Sequence, residues 1–157
     1  MKGIDIHKFS IGATAAITTS MGLIAGLTQG DNAKIGIITG LLIVAIADNI
    51  SDSLGIHIYK ESEGASIKDI DSYTYGNFAV RLFITFTFVL IVLLFSSYTA
   101  FIISSIWGLI LLASLSYLIS KNKKTNPLRE IVFHLVVALI VIAGSKLLGN
   151  LIQSKLN

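Results

Sequence analysis

Nine carboxylates occur in this chain of 157 residues, and two of them, Asp48 and Asp52, fall inside an apolar stretch running from Ile35 to Tyr59. A carboxylate in the middle of a membrane-length helix costs about 2.5–3.5 kcal/mol on insertion scales, so its default reading is functional. On a helix advancing about 100° per residue, Asp48 and Asp52 lie about 40° apart and share a face. Tyr59 and Glu63 continue the same stripe, whereas His57 falls on the opposite side with Asn49 and Ser53. One helix therefore cannot close Asp48, Asp52 and His57 around a single metal. A row of oxygen groups instead suits a stepwise cation path, because hard and borderline divalent ions take carboxylate and carbonyl oxygens. Two unpaired carboxylates about 6 Å apart in low dielectric also resist joint ionisation, so one keeps a proton until a cation displaces it. That is a physical route to metal–proton exchange. The competing reading is structural: Asp48 and Asp52 bond Thr or Ser hydroxyls of the first helix and hold the bundle together.

The elements that position these residues follow from composition. The chain is 54% hydrophobic and 13% charged, against about 25% charged for an average soluble domain, and its mean hydropathy is +0.80. So few charges cannot cover the surface of a small soluble protein, which argues against a water-soluble enzyme domain. The net charge of +3 is spread between apolar runs, with no basic patch interleaved with aromatics, so no nucleic-acid partner is expected. There is no cysteine, which excludes disulfides, thiolate metal sites and cysteine nucleophiles. An apolar core of about 30 Å needs about 20 helical residues, and five stretches qualify: 11–29, 35–59, 78–97, 99–120 and 128–148. The expectation is an all-α, polytopic, single-domain protein over residues 1–157. Lys60 to Asn77 reads as a polar connection too short for a separate domain. Ser96-Ser97-Tyr98-Thr99 reads as a tight hairpin, and Pro127 as the first turn of the fifth helix. With the N-terminus in the cytoplasm, Lys2, Lys8, Lys60, Lys68, Arg81, Lys121, Lys123, Lys124 and Arg129 lie on the inner side. Only Lys34, Lys146 and Lys155 then lie outside, as does the C-terminus. This arrangement is expected in the cell membrane.

Other residues fit plainer roles. Gly12, Ala15, Thr19, Gly22 and Gly26 recur every three or four residues, a surface for close helix packing either within one chain or across a dimer. Glu130 and His134 share a face of the fifth helix near the inner surface; the expectation is that Glu130 pairs with Arg81 or Arg129 and that His134 meets a hydroxyl. Lys146 is expected to snorkel. An intramembrane aspartyl protease needs its acids on two helices, and no Ser–His pair, phosphate loop or zinc-hydrolase motif is present, so no enzyme and no resident cofactor is expected.

Two segments resemble vacuolar iron transporters. Gly12-Ala13-Thr14-Ala15-Ala16-Ile17-Thr18-Thr19-Ser20-Met21-Gly22-Leu23-Ile24-Ala25-Gly26-Leu27 is similar to that family's first helix. Asp52-Ser53-Leu54-Gly55-Ile56-His57-Ile58-Tyr59-Lys60-Glu61-Ser62-Glu63 is similar to the end of its second. The resemblance implies a five-helix homodimer whose first two helices line a central path. It also implies proton-driven export of Fe²⁺ or Mn²⁺ from the cytosol, with a membrane acid and a methionine as ligands and cytosolic glutamates as the capture groups. The departures are specific. The family's first-helix aspartate falls at Ala15, its second-helix methionine falls near Asp52, and its long metal-binding extension is absent between Glu63 and Phe78. Asp48 and Asp52 are therefore expected to take over the membrane site, with Met21 as a soft ligand one helix away and Glu61 and Glu63 as inner capture groups. The alternative is a structural or regulatory membrane protein of the same fold that transports nothing.

Overall fold

A computed structural model describes residues 7–29 and 32–156 of the chain. It contains five helices long and apolar enough to cross a membrane. They are α1 (His7–Leu27), α2 (Ala33–Ser62), α3 (Ile67–Leu94), α4 (Ser97–Lys123) and α5 (Pro127–Leu156). Met1 to Ile6, Gly30, Asp31 and Asn157 lie outside the described residues.

Helices in a bilayer gain little from apolar burial against one another, because lipid is as apolar as leucine. They associate through close packing and polar pairs. The small residues of α1 fit this requirement and make it the centre of the bundle. Ala13, Ala16, Ile17, Ser20, Met21 and Ile24 are all buried. Gly12 faces Asn77 of α3, Gly22 and Gly26 face Ser145 of α5, and the Gly26 carbonyl meets Gly149. The packing surface read from the sequence is thus used within one chain. On α4, Ala100, Ser104, Gly108, Leu112, Ser116 and Ser120 form a buried stripe at four-residue spacing, and Met21 fills the notch left by Gly108. From α2 and α3, Ile37, Leu41, Phe88, Val89 and Val92 complete the core.

The third span differs from its sequence reading. The interval from Lys60 to Asn77 is almost entirely helical, with only residues 63–66 between α2 and α3. Gly64, at φ +71°, ends α2 in the left-handed region that glycine enters without a Cβ penalty. Ser66 then caps α3: its hydroxyl oxygen accepts the Asp69 N–H at 3.3 Å and its O–H donates to the Asp69 carboxylate at 2.7 Å. A polar sequence that cannot cross lipid can still form a helix beyond it. The α3–α4 connection is also shorter than read, since α4 begins at Ser97 and leaves only Phe95 and Ser96.

In α2, the turn Val44–Asp48 is a π-helix that ends on the first of the two acids. Such bulges, with their wider hydrogen-bonding step, recur at functional sites. Here the bulge rotates the following turn so that Asn49 and Ser53 are buried while Ala47, Ser51 and Gly55 lie on the outer face.

Candidate cation site between the second and third helices

Asp48 and Asp52 do share a face, as the helical spacing requires, but they are not unpaired. Arg81, midway along α3, donates from Nη2 to Asp48 Oδ2 and from Nη1 to Asp52 Oδ2. This corrects two expectations. The acids are neither left facing each other alone nor bonded to hydroxyls of the first helix, and Arg81 is the partner of Asp48 and Asp52 and not of Glu130. A guanidinium presents two parallel N–H donors, which suits two carboxylates one helical turn apart.

The three groups differ in burial. The Arg81 side chain is 2% exposed, whereas those of Asp48 and Asp52 are 45% and 42% exposed. The guanidinium is thus sealed between α2 and α3, and the acids keep an open side facing away from the chain. Two carboxylates and one guanidinium sum to a formal charge of −1. At a rise of 1.5 Å per residue, Asp48 lies about 21 Å and Asp52 about 27 Å along the axis from Lys34, placing the pair toward the far side of a 30 Å apolar slab. Lys34 itself donates to the Leu93 carbonyl at 2.8 Å, tying the near end of α2 to α3.

Around this ion cluster the α2–α3 seam is unusually polar. The Asn49 amide donates to the Phe78 carbonyl at 3.0 Å, the Asn77 amide donates to the Ser53 hydroxyl at 3.3 Å, and Thr85 donates to the Arg81 carbonyl at 3.0 Å. Three buried atoms there have no protein partner: Asn49 Oδ1, Asn77 Oδ1 and Arg81 Nε. Buried polar atoms in native proteins nearly always have a partner, often water. Asn77 Oδ1 faces Gly12 of α1, on the closed side of the seam and away from the open side of the acids.

The remaining expected site residues lie elsewhere. Met21 is 1% exposed and packs over Gly108 at the α1–α4 seam. Its sulfur fills a steric notch in the core, and its helix supplies no carboxylate beside it. Glu61 is exposed near the end of α2. Glu63, just past the helix, is already engaged: Tyr59 donates to Oε1 at 2.6 Å and Lys60 Nζ donates to Oε2 at 2.7 Å. The Lys60 and Tyr59 hydrogen bonds hold the Glu63 carboxyl below its usual pKa of 4.5. A depressed carboxylate pKa contributes stability that is present above the unfolded-state value and is lost as pH falls through the lowered folded value. Protection of the amides at residues 59–63, taken relative to the intrinsic exchange rate at each pH, is therefore expected to hold at neutral pH and to fall only in acid below 4.5. In Glu63→Gln that acid dependence is expected to disappear.

His134 meets a hydroxyl as expected, and His57 does the same on the α2–α3 side. His57 Nδ1 lies 3.4 Å from the Thr74 hydroxyl, and His134 Nδ1 lies 2.8 Å from that of Ser116. Lys146 lies over the Phe101 ring at 4.9 Å. Among the described residues, no three His, Asp or Glu side chains come together in a group that could hold a metal ion within one chain. Arg81 is the site residue that the sequence reading missed. The signal was available, since an arginine inside the third apolar span requires a buried acid, and only Asp48 and Asp52 stand at membrane depth.

No family model, curated protein or solved structure matches this chain.

Proposed function

We propose that this protein is a membrane carrier for divalent metal cations, Fe²⁺ or Mn²⁺, with the five-helix plan of vacuolar iron transporters. Its cation site is the acid pair Asp48 and Asp52. The supporting observation is the half-open pair of carboxylates carrying net charge −1 at membrane depth, bound on its closed side by one buried guanidinium. In this reading Arg81 is a tethered counter-ion. It neutralises one acid while no passenger is bound, and a proton or incoming cation neutralises the other. Metal entry then exchanges the proton for the ion, which couples the two flows. The chain sits in the cell membrane with its N-terminus in the cytoplasm and exports the ion, and Glu61, with Glu63 after release from Lys60, collects it at the inner surface. Met21 has no part in this site.

The site is completed in a homodimer. Because α1 is wrapped by its own chain, the seam lies on the outer face of α2, where Ala47, Ser51 and Gly55 recur at the four-residue spacing of close helix pairs. Two copies meeting there bring four carboxylates to one axis, a donor set for a hard divalent ion. A Cβ added at Gly55 meets nothing within 4 Å in one chain. Gly55→Leu is therefore expected to leave the fold and helix content unchanged while abolishing the dimer, as read by cross-linking in membranes and by mass in detergent.

A second reading is favoured by the same double ion pair: both acids are spent on Arg81, and the cluster is scaffolding. The two readings separate on ligand-linked stability. Millimolar Mn²⁺ is expected to raise the melting temperature of the wild type but not of Arg81→Met/Asp48→Asn/Asp52→Asn, because a ligand bound only by the folded state stabilises it. If Mn²⁺ shifts neither protein, the carrier reading is lost.

A further inference from the structure

A cavity with polar groups in its wall lies away from the acid pair. It has a volume of about 480 Å³ and is walled by Ser10, Thr14, Lys123, Thr125, Glu130 and His134, with Ile11, Ala15 and Ile119 as its apolar side. The α4–α5 turn builds one wall in a defined conformation. Lys124 ends α4 in the left-handed region at φ 56°, the Thr125 N–H closes back on the Ser120 carbonyl at 3.1 Å, and the Asn126 side chain accepts the Leu128 N–H at 3.0 Å. Four cations, Lys121, Lys123, Lys124 and Arg129, stand exposed on this turn within nine residues, and Glu130 follows them directly in the chain. A basic cluster at a helix end beside a polar pocket between membrane helices is the pattern that recognises anionic lipid headgroups.

The cavity wall narrows the class of headgroup. Ser116 donates its hydroxyl proton to the Leu112 carbonyl at 2.6 Å, so its oxygen accepts from His134 Nδ1–H at 2.8 Å. With Nδ1 engaged in this bond, Nε2 is the ring nitrogen left for a ligand. The cavity thus has a donor side, with Lys123 and the hydroxyls of Thr125 and Thr14, and an acceptor side at the Glu130 carboxylate, with His134 beside it. A phosphodiester satisfies the first and headgroup hydroxyls satisfy the second. A choline headgroup has neither the net negative charge nor a hydroxyl to give. We propose that this cavity binds an anionic phospholipid with a polyol headgroup of the phosphatidylglycerol type. The phosphate would lie against Lys123 and the glycerol hydroxyls against Glu130 and His134, with the acyl chains leaving past Ile11 and Ile119.

Thermal unfolding of the purified full chain in detergent tests this, using short-chain phosphatidylglycerol, short-chain phosphatidylcholine, glycerol phosphate and inorganic phosphate as probes. Phosphatidylglycerol is expected to raise the wild-type melting temperature on the order of 5 °C. The shift is expected to fall by more than half in Lys123→Ala and to stay intact in Lys146→Ala, a cation at a distant position. Equal shifts from phosphatidylcholine, or an undiminished shift in Lys123→Ala, would overturn the proposal by showing a non-selective lipid coat. A shift produced by glycerol phosphate or inorganic phosphate alone would overturn the lipid assignment in favour of a soluble anion. Should Lys123→Ala melt too early to compare, the lipid retained through purification decides. Phosphatidylglycerol enriched over phosphatidylcholine on the wild type and depleted on Glu130→Gln supports the site, and identical lipid content on the two proteins refutes it.

Discussion

Arg81→Met lowers the stability of the folded chain by about 1.5–3 kcal/mol, the range for lost hydrogen bonds to charged groups, since the two carboxylates left behind are half-exposed. Methionine keeps most of the volume between α2 and α3, so the loss is electrostatic and not a cavity effect. Asp48 and Asp52 then lie one helical turn apart with no counter-ion between them. Restoring neutrality restores stability: in Arg81→Met/Asp48→Asn/Asp52→Asn the melting temperature returns close to that of the wild type, since replacing a whole buried ion cluster by neutral residues is often nearly neutral. Asp48→Asn/Asp52→Asn alone is expected to be more damaging than Arg81→Met, about 3–5 kcal/mol, because it leaves a guanidinium 2% exposed without an acid. Thermal melts of the four proteins give this comparison directly. A triple variant no more stable than Arg81→Met would show that the cluster does not act as one charge-balanced unit.

The second large effect lies at the other end of the bundle. At Gly149 the backbone of α5 meets the Gly26 carbonyl of α1, so any Cβ there strikes main chain and not a side chain that could turn aside. Gly149→Leu is expected to push α5 off α1 and to cost at least the 1–3 kcal/mol typical of overpacking. Gly144, five residues earlier on the same helix, has open space where a Cβ would be. Gly144→Ala is expected to be neutral or to stabilise by up to about 1 kcal/mol through helix propensity. A melt that ranks the two substitutions in the opposite order would mean that α5 does not pack on α1 in this register.

What the sequence makes legible divides along physical lines. Hydropathy and length are local quantities, so the five apolar helices and the shared face of Asp48 and Asp52 can be read without knowing any neighbour. The helical run of α3 before Phe78 was harder, because a polar segment beyond the bilayer carries no hydropathy signal and is marked only by its caps, Gly64 and Ser66. Pairing between helices is not local at all. Arg81 stands 33 residues from Asp48, and a count of inner-side charges treats it like any lysine of a loop. The cost of an unpaired charge at that depth was the clue that it belonged with the acids. The small residues of α1 were legible as a packing surface, but whether they served one chain or two depended on where α3 and α5 lie. The π-turn ending at Asp48 had no mark in its residue types, since Val44-Ala45-Ile46-Ala47 suits an α-helix equally well.

The central claim is that this acid pair carries a passenger ion across the membrane. Mn²⁺ flux into proteoliposomes under a pH gradient tests it with the wild type and with Arg81→Met/Asp48→Asn/Asp52→Asn, a protein expected to be folded but without charge at the site. The account predicts gradient-dependent uptake by the wild type and only background leak by the triple variant. Equal flux through both proteins, or none through a folded, dimeric wild type, would contradict it.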